Sequence, residues 1–203
     1  MVASYTQLLA ERYGDRLDEK AHKFINYAVD GASRMQALIL DLLAFSRVET
    51  RGQVFKTVDA QNALGAAIVN LKAVIDETGA LVTNDDLPRV RADKSQLTMV
   101  FQNLINNGIK FQNKQHPPHI HVSAQFQNGG WCFSVQDNGI GIDAKYRDKV
   151  FLVFQRLHTR NEYPGTGIGL ALCKRIIDRH GGRIWFESSP GQSTTFFFTI
   201  PDK

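Results

Sequence analysis

The sequence predicts an α+β fold, a two-layer α/β sandwich with a helical hairpin in front of it, and three observations carry that reading. Between Leu17 and Val48 apolar residues recur every three or four positions, the period of one helical stripe. Ile120, Val122, Ala124 and Phe126 alternate with polar residues, and after Asn128-Gly129-Gly130 the alternation resumes at Trp131, Phe133 and Val135, the pattern of a β-hairpin. Leu97, Val100, Phe101, Leu104, Ile105 and Gly108 form a further helical stripe, and helices flanking one face of a largely antiparallel sheet make two layers.

Residues 1–13 offer the first helix, with Val2, Tyr5, Leu9 and Tyr13 on one face and a turn at Gly14-Asp15. The second carries Phe24, Ala28, Ala32, Met35, Leu38, Ile39, Leu42 and Phe45 in its stripe, which needs partners, either in its own domain or in a dimeric bundle. Glu49-Thr50-Arg51-Gly52-Gln53 is a polar break, so the domain boundary is placed here, giving 1–50 and 51–203. Residues 54–58 then read as a strand, 60–77 as a helix and 81–83 as a strand, with a turn at Pro88. Asp93 opens the next helix with Gln96 three residues on, a capping-box arrangement. After the hairpin, whose second strand delivers Asp137 to its end, come a short helix at 144–150, a glycine- and charge-containing loop, and a helix from about 167 to 179 stopped by His180-Gly181-Gly182. A final hairpin spans 183–200.

At 203 residues with 43% hydrophobic content the chain can bury one substantial core plus a smaller helical element, and the composition implies no disorder. The net charge of +4 is spread without basic runs, which disfavours nucleic acid as a partner. Cys132 and Cys173 lack zinc or disulfide spacing and suit a reducing cytoplasm. No apolar run is long enough to span a bilayer, so the segment is expected to be soluble and to make no membrane contact. His119 and His121 share one strand face, but no carboxylate or cysteine stands nearby in sequence to complete a metal set.

Three stretches carry chemistry: Asn103-Leu104-Ile105-Asn106-Asn107-Gly108-Ile109-Lys110-Phe111, Asp137-Asn138-Gly139-Ile140-Gly141-Ile142 and Gly165-Thr166-Gly167-Ile168-Gly169-Leu170. Asn103, Asn107 and Lys110 recur at four and three on one helix face, presenting amide oxygens and an ammonium suited to Mg2+ and phosphate. Asp137 is an acceptor for an amino group, and the glycines let main chain approach a bulky ligand. The last stretch has neither the spacing of a dinucleotide fingerprint nor the Gly-Lys-Ser/Thr of a P-loop.

In composition and order these stretches resemble the N box and the two glycine boxes of the GHKL (Bergerat) ATPase superfamily, with Phe151-Leu152-Val153-Phe154 as an F box between them. Within it the chain is most similar to sensor histidine kinases of the bacteriophytochrome-like, PAS-linked group. The resemblance implies ATP and Mg2+ as ligands. Asp137 would accept the adenine amine, with Gly139 and Gly141 against the base and Phe111 stacking near it. Asn107, with Asn103 one turn earlier, would hold Mg2+, and Lys110 would offset phosphate charge. Gly165 and Leu170 bound the second glycine box, in which the amides of Gly167, Ile168 and Gly169 form a phosphate cradle. Residues 156–166 take the place of the ATP lid, from which Arg156, His158 and Arg160 could reach the phosphates.

The family's activity would be transfer of the γ-phosphoryl to a histidine and thence to an aspartate of a response-regulator receiver domain, in a homodimer. By the same resemblance residues 1–50 are a partial dimerisation hairpin, the acceptor histidine lying about two turns before the position of Met1. His22 is the one histidine of the hairpin, and it lacks the acidic neighbour and following proline of the family's H box. Autophosphorylation of the chain by itself is therefore expected to fail, and its self-association to be weak. Two other readings stand beside the kinase: a regulatory nucleotide-binding pseudokinase module, and a GHKL ATPase clamp, whose general-base glutamate would occupy the place of Asn103.

Overall fold

A computed structural model describes residues 2–13, 17–50, 52–113, 116–157, 162–163 and 165–202. The turn expected at Gly14-Asp15, and His158 and Arg160 of the expected lid, lie outside the described residues. The chain divides into two compact units, Met1–Ala44 and Phe45–Lys203.

The first unit consists of α1 (Val2–Tyr13) and the greater part of α2 (Glu19–Thr50). Asp18 opens α2 by accepting the Ala21 N–H on its carboxylate at 2.7 Å, which satisfies one of the free donors of a helix start. Tyr5, Leu8, Leu9 and Tyr13 of α1, and Phe24, Tyr27, Met35, Ile39 and Leu42 of α2, are exposed. His22 lies in the first turns of α2 and is half-buried.

The second unit begins with the last turns of α2 and continues through β1 (Lys56–Asp59), α3 (Ala60–Asn70), α4 (Lys72–Thr78), β2 (Leu81–Asn84), β3 (Arg89–Ala92), α5 (Lys94–Lys110), β4 (His119–Gln127) and β5 (Gly130–Asp137). A 3-10 turn (Ala144–Tyr146), α6 (Gly169–Arg179), β6 (Ile184–Ser189) and β7 (Ser193–Pro201) follow. Five strands form one sheet in the order β2-β4-β5-β7-β6, antiparallel except for the parallel β2–β4 pair, and β1 pairs with β3 in a separate antiparallel ribbon. Helices pack on one face, so the two-layer sandwich is the fold.

Alternation places Ile120 and Val122, Phe133 and Val135, and Phe196, Phe198 and Ile200 on the helix-facing side, all of them buried. Phe101 of α5 meets Phe133 edge-on at 5.9 Å and Phe198 at 5.7 Å, while Phe133 and Phe198 stack at 4.8 Å. Burial of such a cluster supplies about 1.5–3 kcal/mol per ring and sets the height of α5 over β5.

Four expectations are corrected. The helix foreseen over 60–77 is interrupted at Leu71, whose ψ of 3° ends α3 so that its side chain can be buried. The first strand starts later, at Lys56, because Phe55 stacks on the His180 ring at 4.5 Å instead of joining the ladder. The short helix foreseen over 144–150 is a 3-10 turn followed by isolated turns. Asp93 does cap α5, but Gln96 does not return the bond: its amide donates to Val48 O at 2.9 Å, and the Asp93 N–H donates to His180 Nε2 at 3.1 Å.

Candidate functional site

α5 is the element from which the site grows. Its core stripe is fixed by the phenylalanine cluster, which leaves Asn103, Asn107 and Lys110 half-buried along its margin. The Asn103 Nδ2 donates to Met99 O at 2.8 Å, and this bond turns Oδ1 towards α6: a Cβ on Gly169 would stand 2.6 Å from it. The Asn107 side chain makes no hydrogen bond to any described residue and keeps both its amide oxygen and its nitrogen free for a ligand.

Lys110 ends the row. Its Nζ lies 4.1 Å from the Phe111 ring centroid and so close to the second glycine stretch that a Cβ on Gly165 would stand 3.0 Å away. Burial, reinforced by the nearby Arg156 guanidinium, pushes its pKa down to about 8. Phe111 carries a second aromatic neighbour, Tyr163, at 5.0 Å, and Arg156 is tied to Tyr163 O at 2.7 Å.

β5 delivers Asp137 to the same end of the sandwich, beneath α5. A Cβ on Gly108 would stand 3.0 Å from Ile120 Cγ1 and 3.1 Å from Asp137 Cβ, so the glycine lets the helix pass closely over the strand that carries the carboxylate. One Asp137 oxygen accepts the Gly139 N–H at 2.9 Å. Burial pushes the Asp137 pKa up to about 6, against the backbone donors of Gly139 and Thr194, which pull it down. Thr194 stands opposite Asp137 in the β5–β7 register, a supporting residue the motifs did not indicate but the final hairpin's pairing would.

The first glycine stretch is stapled to both layers. Ile140 N–H donates to Phe111 O at 2.9 Å, and Gly191 N–H donates to Ile140 O at 2.7 Å. Gly141, at φ +72°, packs on the β6–β7 turn, where a Cβ would stand 2.5 Å from Ser189 O. Beside it opens a cavity of about 440 Å³ lined by Ile140, Gly141, Ile142, Asp143, Lys145, Tyr146, Leu157 and Pro190. Another, of about 320 Å³ and bordered by Arg147 and Trp185, shares none of the expected site residues.

The second glycine stretch leads into α6. Gly167 sits at φ +75°, outside helical space, so α6 begins at Gly169, later than the position foreseen at about 167. Gly167 O accepts the N–H of Phe154, itself held at φ +65° and exposed. The Ile168 side chain is fully buried, its N–H lies 3.4 Å from Thr166 Oγ1, and no side chain caps the helix, which leaves the N–H groups of its first turn without a side-chain acceptor. Leu170 is half-buried in that turn.

The structure therefore brings Asn103 to Gly169, Lys110 to Gly165, Gly108 and Gly139 to Asp137, and the Phe111 carbonyl to Gly139 and Ile140. The arrangement offers a carboxylate acceptor at one end, two amide oxygens and an ammonium along α5, and main-chain donors opposite, a set suited to a purine base followed by metal-bridged phosphates. His119 and His121 alternate with Ile120, the register partner of Asp137, and so face the other side of the sheet; the His119 N–H donates to Asn138 Oδ1 at 2.8 Å, Thr83 Oγ1 stands 2.9 Å from His121 Nδ1, and His121 Nε2 lies 3.5 Å from Asp85. No helix among the described residues is long and apolar enough to cross a membrane.

Residues 92–203 match the family described as histidine kinase-, DNA gyrase B- and HSP90-like ATPase. The chain is 53% identical over 200 residues to cyanobacterial phytochrome A of Nostoc sp. (strain PCC 7120), a match covering 98% of this chain and 26% of that protein. It thus spans about a quarter of the length of that relative. Among solved structures, full-length ShkA in complex with AMPPNP superposes with a TM-score of 0.72 at 23% identity, over 98% of this chain and 42% of that one. The histidine kinase ThkA, crystallised with the response regulator protein TrrA, gives 0.69 at 23% identity, over 98% and 57%.

Proposed function

The chain belongs to the histidine kinase-, DNA gyrase B- and HSP90-like ATPase family, and from that premise we propose that it is the ATP-binding kinase core of a two-component sensor histidine kinase. The observation that carries the reading is the convergence of Asp137, the asparagine row of α5 and the uncapped start of α6 on one end of the sandwich. Asp137 accepts the adenine amine, which selects adenine over guanine because guanine presents a carbonyl there. Gly139 and Gly141 let the loop that borders the base pack tightly on the Phe111 carbonyl and the β6–β7 turn, Lys110 and the first turn of α6 hold the phosphates, and Arg156 adds a second cation beside them.

The donor set fits Mg2+: Asn107 presents an uncommitted amide oxygen and Asn103 one whose direction is set by its bond to Met99, both hard oxygen donors. When bound, the ion offsets the charge of the β- and γ-phosphates. The residues themselves contribute position and electrostatics, which is most of what phosphoryl transfer asks of a protein. In the transfer a histidine nitrogen forms the N–P bond as the bond from the γ-phosphorus to the β-γ bridging oxygen breaks, ADP leaves, and the phosphoryl group passes on to a receiver aspartate. The full protein acts as a homodimer through α1 and α2, whose exposed apolar residues call for partner helices. The cytoplasm, where ATP is available, is the compartment that fits this chemistry.

A hydrolytic clamp is the weaker reading because Asn103 carries an amide that donates to Met99 O and cannot act as a base on water. Calorimetric titration with ATP, with and without Mg2+, tests the site. Transfer of label from ATP to a supplied hairpin histidine and then to a receiver domain tests the activity. Binding without transfer would leave a regulatory nucleotide-binding module.

A further inference from the structure

We propose that Arg175 and Arg179 of α6 are positioning residues for the phosphotransfer, because they strap the last turns of α2 and residues 52–55 onto the two helices that form the nucleotide site. The proposal rests on the kinase reading above and adds to it the device that sets how the core is held.

Arg179 is the centre of the strap. Its guanidinium donates to Gln53 O and to Gln96 Oε1, both at 2.9 Å, lies 3.5 Å from an Asp93 oxygen, and covers the Phe55 ring at 4.6 Å. Gly52 passes so close that a Cβ there would collide with the guanidinium. The partner carboxylate has two tasks. Asp93 caps α5 with Oδ1, bonding Ser95 and Gln96, and takes the Gln53 N–H with Oδ2 at 2.7 Å. Burial raises its pKa, but these donors outweigh burial and hold the carboxyl below its ordinary value, so Asp93 is an anion facing Arg179. One turn earlier, Arg175 pairs with Glu49 at 3.3 Å and covers Phe45 at 4.6 Å.

The placement gives the network its role. α6 runs from Gly169 at the phosphate end to Arg179 at the strap, about 15 Å at the helical rise, and α5 runs from Asp93 to Asn107, about 21 Å. Each helix therefore carries a site residue at one end and the strap at the other. Loosening the strap leaves the nucleotide contacts intact and frees the last turns of α2 and the residues after them from α5 and α6, and phosphoryl transfer is steeply sensitive to how the reacting groups are positioned.

The experiment uses a protein that carries this chain together with its phosphoacceptor histidine, with Arg179→Ala, Arg175→Ala and Gly52→Ala. Calorimetry should give ATP–Mg2+ affinities within about twofold of wild type. Autophosphorylation at saturating ATP should fall by tenfold or more, and exchange of the Gln53 amide should quicken. Gly52→Ala lies on the segment itself and tests the strap even if loss of Arg179 unfolds α6. A Gly52→Ala protein with faster Gln53 exchange and an unchanged transfer rate overturns the proposal, as does loss of ATP affinity in proportion to rate. A wild-type protein that binds no ATP would instead overturn the nucleotide reading on which it rests.

Discussion

Gly169, the first residue of α6, lies against Asn103 so closely that a Cβ would stand 2.6 Å from the amide oxygen. Alanine in the first turn of a helix should by itself stabilise by up to about 1 kcal/mol. Here its methyl group must displace Asn103 Oδ1, the oxygen assigned to Mg2+. Gly169→Ala is expected to leave the melting temperature unchanged or slightly raised while weakening ATP–Mg2+ by roughly 1–3 kcal/mol, the range for overpacking. Calorimetry and thermal melting on the same sample check both. An undiminished affinity would remove Asn103 from the site.

Asp137 is held at a cost. Its pKa in the folded chain, about 6, stands above the ordinary 3.8, so between those values the folded state keeps a proton that the unfolded chain has released. The group's contribution to stability is thus greatest below the lower value and is lost as pH rises through the upper one. Asp137→Asn should stabilise the free protein at pH 7–8 by on the order of 1–3 kcal/mol, with the gain vanishing towards pH 4. The same change should weaken adenine nucleotides by about 1.5–3 kcal/mol, the value of a hydrogen bond to a charged group. A variant that loses both stability and affinity would point to a structural aspartate.

Lys110 gives a proton-linkage test. With its pKa pushed down to about 8 by burial and then by Arg156, it is half deprotonated near pH 8, and phosphate anions beside it would restore the ammonium. ATP binding at pH 8 should therefore take up a fraction of a proton, and at pH 6.5 should take up none through this group. Titrations in buffers of different ionisation enthalpy measure the uptake. Lys110→Ala should abolish it, and equal uptake in wild type and variant would place Lys110 away from the phosphates.

Much of this was legible in the sequence where period and motif coincide. The α5 stripe, the β4–β5 alternation and the Asn-Gly-Gly turn each predict their element because burial on one face dictates the spacing. β3 escaped notice: four residues beyond Pro88, with Val90 and Ala92 inward, are too few to establish a period. Gln96 was misread because its spacing from Asp93 suits a capping box, whereas its partners Val48 and Arg179 are remote in sequence. Tyr163 and Thr194 follow the same rule, since packing on Phe111 and support of Asp137 arise from tertiary pairing and leave no local signal.

Asn107 offers the most direct test of the metal. It lies one helical turn beyond Asn103 on α5, is half-buried, and has no intramolecular hydrogen bond among the described residues, so replacing it should disturb little of the fold. An amide oxygen bound to Mg2+ contributes only when the ion is present. Asn107→Ala is therefore expected to bind ATP in a chelator as wild type does, while the gain in affinity on adding Mg2+ falls by tenfold or more, about 1.4 kcal/mol. In the phosphotransfer assay the variant should be inactive, since the γ-phosphate would lose the ion that neutralises its developing charge. An Mg2+ gain equal to that of wild type would move the ion to other ligands and leave Asn107 as a half-buried amide on the margin of α5.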